Sequence, residues 1–92
     1  DAPGGDRMTL TLTLYSRAGC HLCEEMIEAV LPLIRGRAEL EVVDIDSAPE
    51  LRSLYDLRIP VLAVGNAVLC EGALQPNTVY AYLSDPGIVD DR

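Results

Sequence analysis

The chain has 92 residues, 49% of them hydrophobic, and 15 acidic against 7 basic side chains give a formal charge of −8. That length suits one small domain with a single core, and the hydrophobic share excludes a disordered segment. The acidic balance speaks against nucleic acid and anionic membrane surfaces as partners, and no apolar run approaches the roughly 18 residues of a membrane helix.

Residues 1–8, rich in Gly, Pro and charge, read as a flexible tail. Met8 is a candidate natural start, and no signal-peptide pattern is visible. From about Thr9 to Tyr15, β-branched and apolar residues alternate with period two, which predicts a strand. Ser16-Arg-Ala-Gly19 follows as a tight turn, with Gly19 able to take the unusual backbone angles a turn needs. A helix is expected over about Cys20–Arg35, with Leu22, Met26, Ala29, Val30 and Leu33 as its apolar stripe. Pro32 should kink or shorten its last turn, because it cannot donate to the Glu28 carbonyl, and Gly36 is a stop signal.

Leu40 to Ile45 predicts a second strand, making a parallel strand–helix–strand crossover. Ser47-Ala-Pro-Glu50 has the form of a capping box with Pro in the first turn. A short helix to about Tyr55 should turn Leu51, Leu54 and Tyr55 toward the core. Val61–Val64 and Ala67–Cys70 flank Gly65-Asn66, a two-residue hairpin turn. Counting from that turn sets Cys70 across from Val61. Pro76 opens a last helix with Val79, Tyr80 and Leu83 on its apolar side, and Ser84 to Arg92 reads as a loose end. An ordered core of about 9–83 and the order β-α-β-α-β-β-α result. Thr9, Thr11 and Thr13 make the first strand more amphipathic than one covered on both faces.

The chemistry points to Cys20 and Cys23. At a helix start, Cys20 lies near free backbone N–H groups and the positive end of the dipole, which favours a thiolate nucleophile. Cys23, one turn on, can attack a mixed disulfide formed on Cys20. A structural pair or half of a zinc site competes with this reading, although zinc needs about four ligands. His21 can raise the thiolate fraction when protonated or point to solvent. Arg17 either stabilises the thiolate or a substrate carboxylate, or is an ordinary surface arginine. Glu24 and Glu25 belong to the solvated first turn. Three cysteines are too few for a secreted disulfide scaffold, so a reducing cytoplasm is expected. Cys70 reads mainly as a small buried hydrophobe.

With Cys20-His21-Leu22-Cys23 after the first strand, Tyr55-Asp-Leu-Arg-Ile-Pro60 before the third, and Glu71-Gly72-Ala73-Leu74 after the hairpin, residues 9–83 resemble the thioredoxin-like superfamily. Its small glutaredoxin-like members are the nearest type. The resemblance implies a four-stranded mixed sheet flanked by helices, with a cis Ile59–Pro60 bond near the two sulfurs. It implies that Ile59 and Pro60 present an extended substrate segment. Two departures stand out: His-Leu replaces the usual Pro-Tyr between the cysteines, and the double glycine with its acidic pair is missing. Arg17 alone resembles the basic residue of a glutathione site.

The expected function is thiol–disulfide exchange on protein or small-molecule disulfides by a cytoplasmic monomer. Its redox-active element is a Cys20–Cys23 disulfide, with no metal or organic cofactor. Glutathione or a thioredoxin-type reductant would reopen it. The alternative is a non-catalytic redox-sensing or protein-binding module on the same fold.

Overall fold

A computed structural model describes residues 10–85. Strand β1 (Leu10–Ser16) leads to helix α1 (His21–Ile34), strand β2 (Ala38–Asp44) and a 3-10 turn (Ile45–Ser47). Helix α2 (Pro49–Tyr55), strands β3 (Val61–Val64) and β4 (Ala67–Glu71) and helix α3 (Pro76–Ser84) complete it. The strands form one mixed sheet in the order β2-β1-β3-β4. β1 and β2 run parallel, as a helical crossover requires, and the β3–β4 hairpin lies antiparallel beside β1. The α/β thioredoxin-like order expected from the sequence is the observed one.

The core sits mainly on one face of this sheet. Leu12 and Leu14 of β1, Leu62 of β3 and Cys70 of β4 meet Met26, Val30 and Ile34 of α1 and Val79 and Tyr82 of α3. The opposite face is covered more thinly. Val61 and Ala63 are buried there, but Thr11 is exposed, Thr13 and Tyr15 are half-buried, and α2 contributes no buried residue. The threonine-rich alternation in β1 is the sequence trace of that thin cover.

Several local expectations are corrected. In α1 the buried positions are Cys23, Met26, Val30 and Ile34, while Leu22 is 58% exposed and Ala29 also faces out. The stripe is thus rotated by about one residue, because Cys23 serves as an apolar position. The helix passes through Pro32 and ends at Ile34. Ser47 does not cap α2: the 3-10 turn absorbs it, Ala48 takes the cap position without a side-chain bond, and Pro49 opens the helix. Leu54 points away from the core at 57% exposure. In α3, Tyr82 rather than Tyr80 joins Val79 on the buried side.

β4 bulges between its pairings with Leu62 and Ala63, so Cys70 stands opposite Leu62, and Glu71, not Cys70, faces Val61. Ser84 closes α3 and is not a loose end. The readings for Asp1–Thr9 and for residues 86–92 fall outside the described residues.

Candidate functional site

The strand directions gather four connections at one end of the sheet. β1 and β2 finish there at Ser16 and Asp44, β3 begins there at Val61 opposite Tyr15, and β4 finishes at Glu71 opposite Val61. The turn that leaves β1 is closed by the Cys20 N–H donating to the Arg17 carbonyl at 3.1 Å, with Gly19 at φ +80°. Cys20 takes the cap of α1 in extended backbone geometry, and its carbonyl accepts from the Glu24 N–H at 3.1 Å.

Cys20 and Cys23 are joined by a disulfide, their Cα atoms 5.2 Å apart. The Cys20 sulfur also accepts the Cys23 N–H at 3.1 Å. The two sulfurs are not equivalent. Cys23 is 1% exposed, whereas Cys20 is only partly buried. An N–H donor and the positive end of the helix both favour negative charge on the Cys20 sulfur, the one that another molecule can reach. His21 and Leu22, between them, are exposed.

Ile59–Pro60 is a cis peptide bond at the same end of the sheet, with Pro60 buried and Ile59 half-buried. The Pro60 carbonyl accepts the Gly72 N–H at 2.8 Å, and Gly72 has φ +80°. Arg58 ties this loop to its surroundings. Its guanidinium donates to both Glu71 oxygens at 3.1 Å and to the Leu54 carbonyl at 3.3 Å. It also lies 5.3 Å over the Tyr55 ring, and Tyr55 stacks on Tyr15 with centroids 4.3 Å apart and planes at 17°. Hydrogen bonds from Arg58 hold the Glu71 carboxyl below the ordinary carboxylate range. Burial, with Tyr55 alongside, pushes the Tyr15 phenol up.

Arg17 has other partners than a sulfur or an incoming carboxylate. Its guanidinium reaches Asp46 through two bonds of 3.2 Å and Asp56 at 2.9 Å. It thereby fastens the exit of β1 to the 3-10 turn and to the end of α2. Hydrogen bonds to these carboxylates raise its pKa above the ordinary arginine value. Cys70, 3% exposed, is a free cysteine whose sulfur accepts the Gln75 N–H at 3.4 Å and faces the Gln75 carbonyl at 3.8 Å. Burial pushes its thiol up, partly offset by the Gln75 backbone.

A groove of about 220 Å³ runs between α1, through Leu22, Glu25, Met26 and Ala29, and the segment 72–74. Among the described residues, no group of three or more His, Cys, Asp and Glu side chains could hold a metal ion. No described helix is long and apolar enough to cross a membrane. The pairing of Arg17 with Asp46 and Asp56, the pairing of Arg58 with Glu71 and the Tyr15–Tyr55 stack are not foreseen by the sequence. The opposite charges of Arg58 and Glu71, at positions that hairpin counting brings to one end of the sheet, were the signal available for that pair.

Residues 11–84 match the family model of the glutaredoxin-like domain (DUF836). The chain belongs to this family. A glutaredoxin-like chain of this kind has solved structural relatives. The X-ray structure of a structural-genomics target protein from X. campestris is 37% identical, with a TM-score of 0.62 over 79% of this chain and 95% of that one. The solution structure of that target has a TM-score of 0.62 at 34% identity, covering 79% and 91%. Thioredoxin 1 from Thermosipho africanus TCF52B shares the fold, with a TM-score of 0.57 at 15% identity over 85% of this chain and 99% of its own. No curated protein matches the chain. The thioredoxin-like, glutaredoxin-like fold and its Cys20–Cys23 pair are consistent with redox chemistry.

Proposed function

We propose that this glutaredoxin-like domain is a thiol–disulfide oxidoreductase that works through Cys20 and Cys23. The observation that carries the reading is the unequal exposure of two bridged sulfurs at the cap of α1: Cys20 is reachable and Cys23 is enclosed. In the reduced form, the Cys20 thiolate attacks one sulfur of a substrate disulfide. The substrate S–S bond breaks, a mixed disulfide forms on Cys20, and the first substrate thiolate leaves and takes a proton.

Cys23 then loses its proton and attacks the Cys20 sulfur, releasing the second substrate thiol and closing the Cys20–Cys23 bridge. Two electrons have moved to the substrate. A dithiol, or two molecules of a monothiol such as glutathione, returns them by the reverse exchange. Ile59 and Pro60 present the backbone along which an extended substrate segment lies. The Cys20–Cys23 dithiol carries the two electrons and the bridge is the form left when they are given up, so the proposed cycle calls on no metal or organic cofactor. We further propose that the domain acts as a monomer in the cytoplasm, where a glutathione pool or a thioredoxin-type reductant is at hand.

Protein and small-molecule disulfides are the proposed substrates. Turnover of a model protein disulfide, with a dithiol as the final reductant, tests the reading. Catalysed reduction that disappears in Cys20→Ser supports it. No rate above that of the dithiol alone would leave the fold as a redox-sensing or protein-binding module.

A further inference from the structure

Among the described residues, Glu25 is the one charged residue lining the groove; its other walls include the apolar Leu22, Met26 and Leu74. One end of the groove is formed by Leu22, which lies between the two cysteines in sequence. Glu25 makes no ion pair among the described residues, and neither does Glu24 beside it. Arg17 is paired with Asp46 and Asp56, and Arg58 with Glu71. An unpaired carboxylate in an otherwise uncharged described lining gives the groove a negative charge.

We propose that the groove receives an apolar side chain next to the disulfide cysteine of a polypeptide substrate, and that Glu25 selects substrates with a lysine or arginine beside that side chain. Glu25 is a specificity-determining residue in this scheme and takes no part in the sulfur chemistry. The inference rests on the exchange activity proposed above and uses the same two-electron step. A disulfide flanked by carboxylates, glutathione disulfide included, meets Glu24 and Glu25 without a released guanidinium to offset them.

The test uses the full chain, reduced and freed of added thiol, in single turnover against two disulfide-bridged peptides. Both carry Leu next to one cysteine; one has Lys and the other Glu beside the Leu. The Lys peptide should oxidise the protein faster at low salt, by up to roughly fivefold per exposed charge contact, and the gap should close in 1 M salt as the charges are screened. Glu25→Gln should shrink the gap and Glu25→Lys reverse it, both read in the half-saturating concentration. Equal rates with the two peptides, or a preference that survives both variants, would overturn this selection while leaving the exchange activity standing. A reduced protein that neither peptide oxidises would overturn the exchange activity and the selection with it.

Discussion

Glu71 grips Arg58 through both carboxylate oxygens at 3.1 Å while its own backbone stands opposite Val61 in the sheet. The pair therefore clasps the segment 58–61 from both sides, alongside the Gly72 N–H to Pro60 carbonyl bond at 2.8 Å. The Glu71 carboxyl is lowered from its ordinary 4.5, first by hydrogen bonds from Arg58. A group with a lower folded value contributes stability above its unfolded value and loses it as pH falls through the folded one. Thermal melts of wild type and Glu71→Gln should thus differ at neutral pH, with the variant lower. The difference should begin to shrink as pH falls past the ordinary glutamate value and vanish once pH is below the lowered folded value, where wild-type Glu71 is neutral as well. A gap that stays constant down to pH 3 would remove the pair from the stability account.

The unequal sulfurs make opposite predictions for the two serine variants. Cys20→Ser removes the only partly exposed member of the bridge and should abolish reduction of a protein disulfide. Cys23→Ser leaves the attacking sulfur but removes the resolving one, so a mixed disulfide should accumulate and be visible by intact mass. Full dithiol activity in both variants would contradict the assigned roles.

The parts of this architecture that the sequence made legible are those written in local periodicity. Alternation in β1, the helix opening after Gly19 and the Gly65-Asn66 turn each depend on residues close in sequence. The bulge in β4 does not. It depends on how the ladder accommodates Leu69, and it shifts Cys70 from Val61 to Leu62, onto the face that Leu14 and Leu62 share. The stripe of α1 was misplaced for a related reason: counting from Leu22 gave a hydrophobe an interior place that Cys23 occupies. Arg17 and its aspartates are 29 and 39 positions apart in sequence, so only the folded chain reveals these partners of the guanidinium.

Cys70 should be silent in the native protein. It is 3% exposed, hydrogen-bonded to Gln75, and its thiol is raised by burial. Reduced protein treated with an aromatic disulfide reagent should quickly release two equivalents of reporter thiolate: Cys20 attacks and releases the first, then Cys23 closes the bridge and releases the second. The third should come only with denaturant. Three rapid equivalents would show that the core around Cys70 opens readily. Cys70→Ser should keep dithiol activity and cost about 1–2 kcal/mol of stability, the scale of a hydroxyl placed in a largely apolar site.

Two leucines of the same chain mark the extremes of what burial is worth. Leu14 is wholly buried where β1, β3 and α1 meet, while Leu57, in the loop after α2, is 96% exposed. Leu14→Ala removes apolar atoms from a packed interior and leaves a cavity, a loss of about 2–5 kcal/mol. For a domain of this size that lowers the melting midpoint by about 10 °C or more. Leu57→Ser changes little that is removed from water on folding, so its effect should stay within about 0.5 kcal/mol. Chemical denaturation of the two variants decides the matter: a large loss for Leu57→Ser would mean that the exposed side chain is covered in solution, and a small one for Leu14→Ala that the sheet face can collapse around the gap.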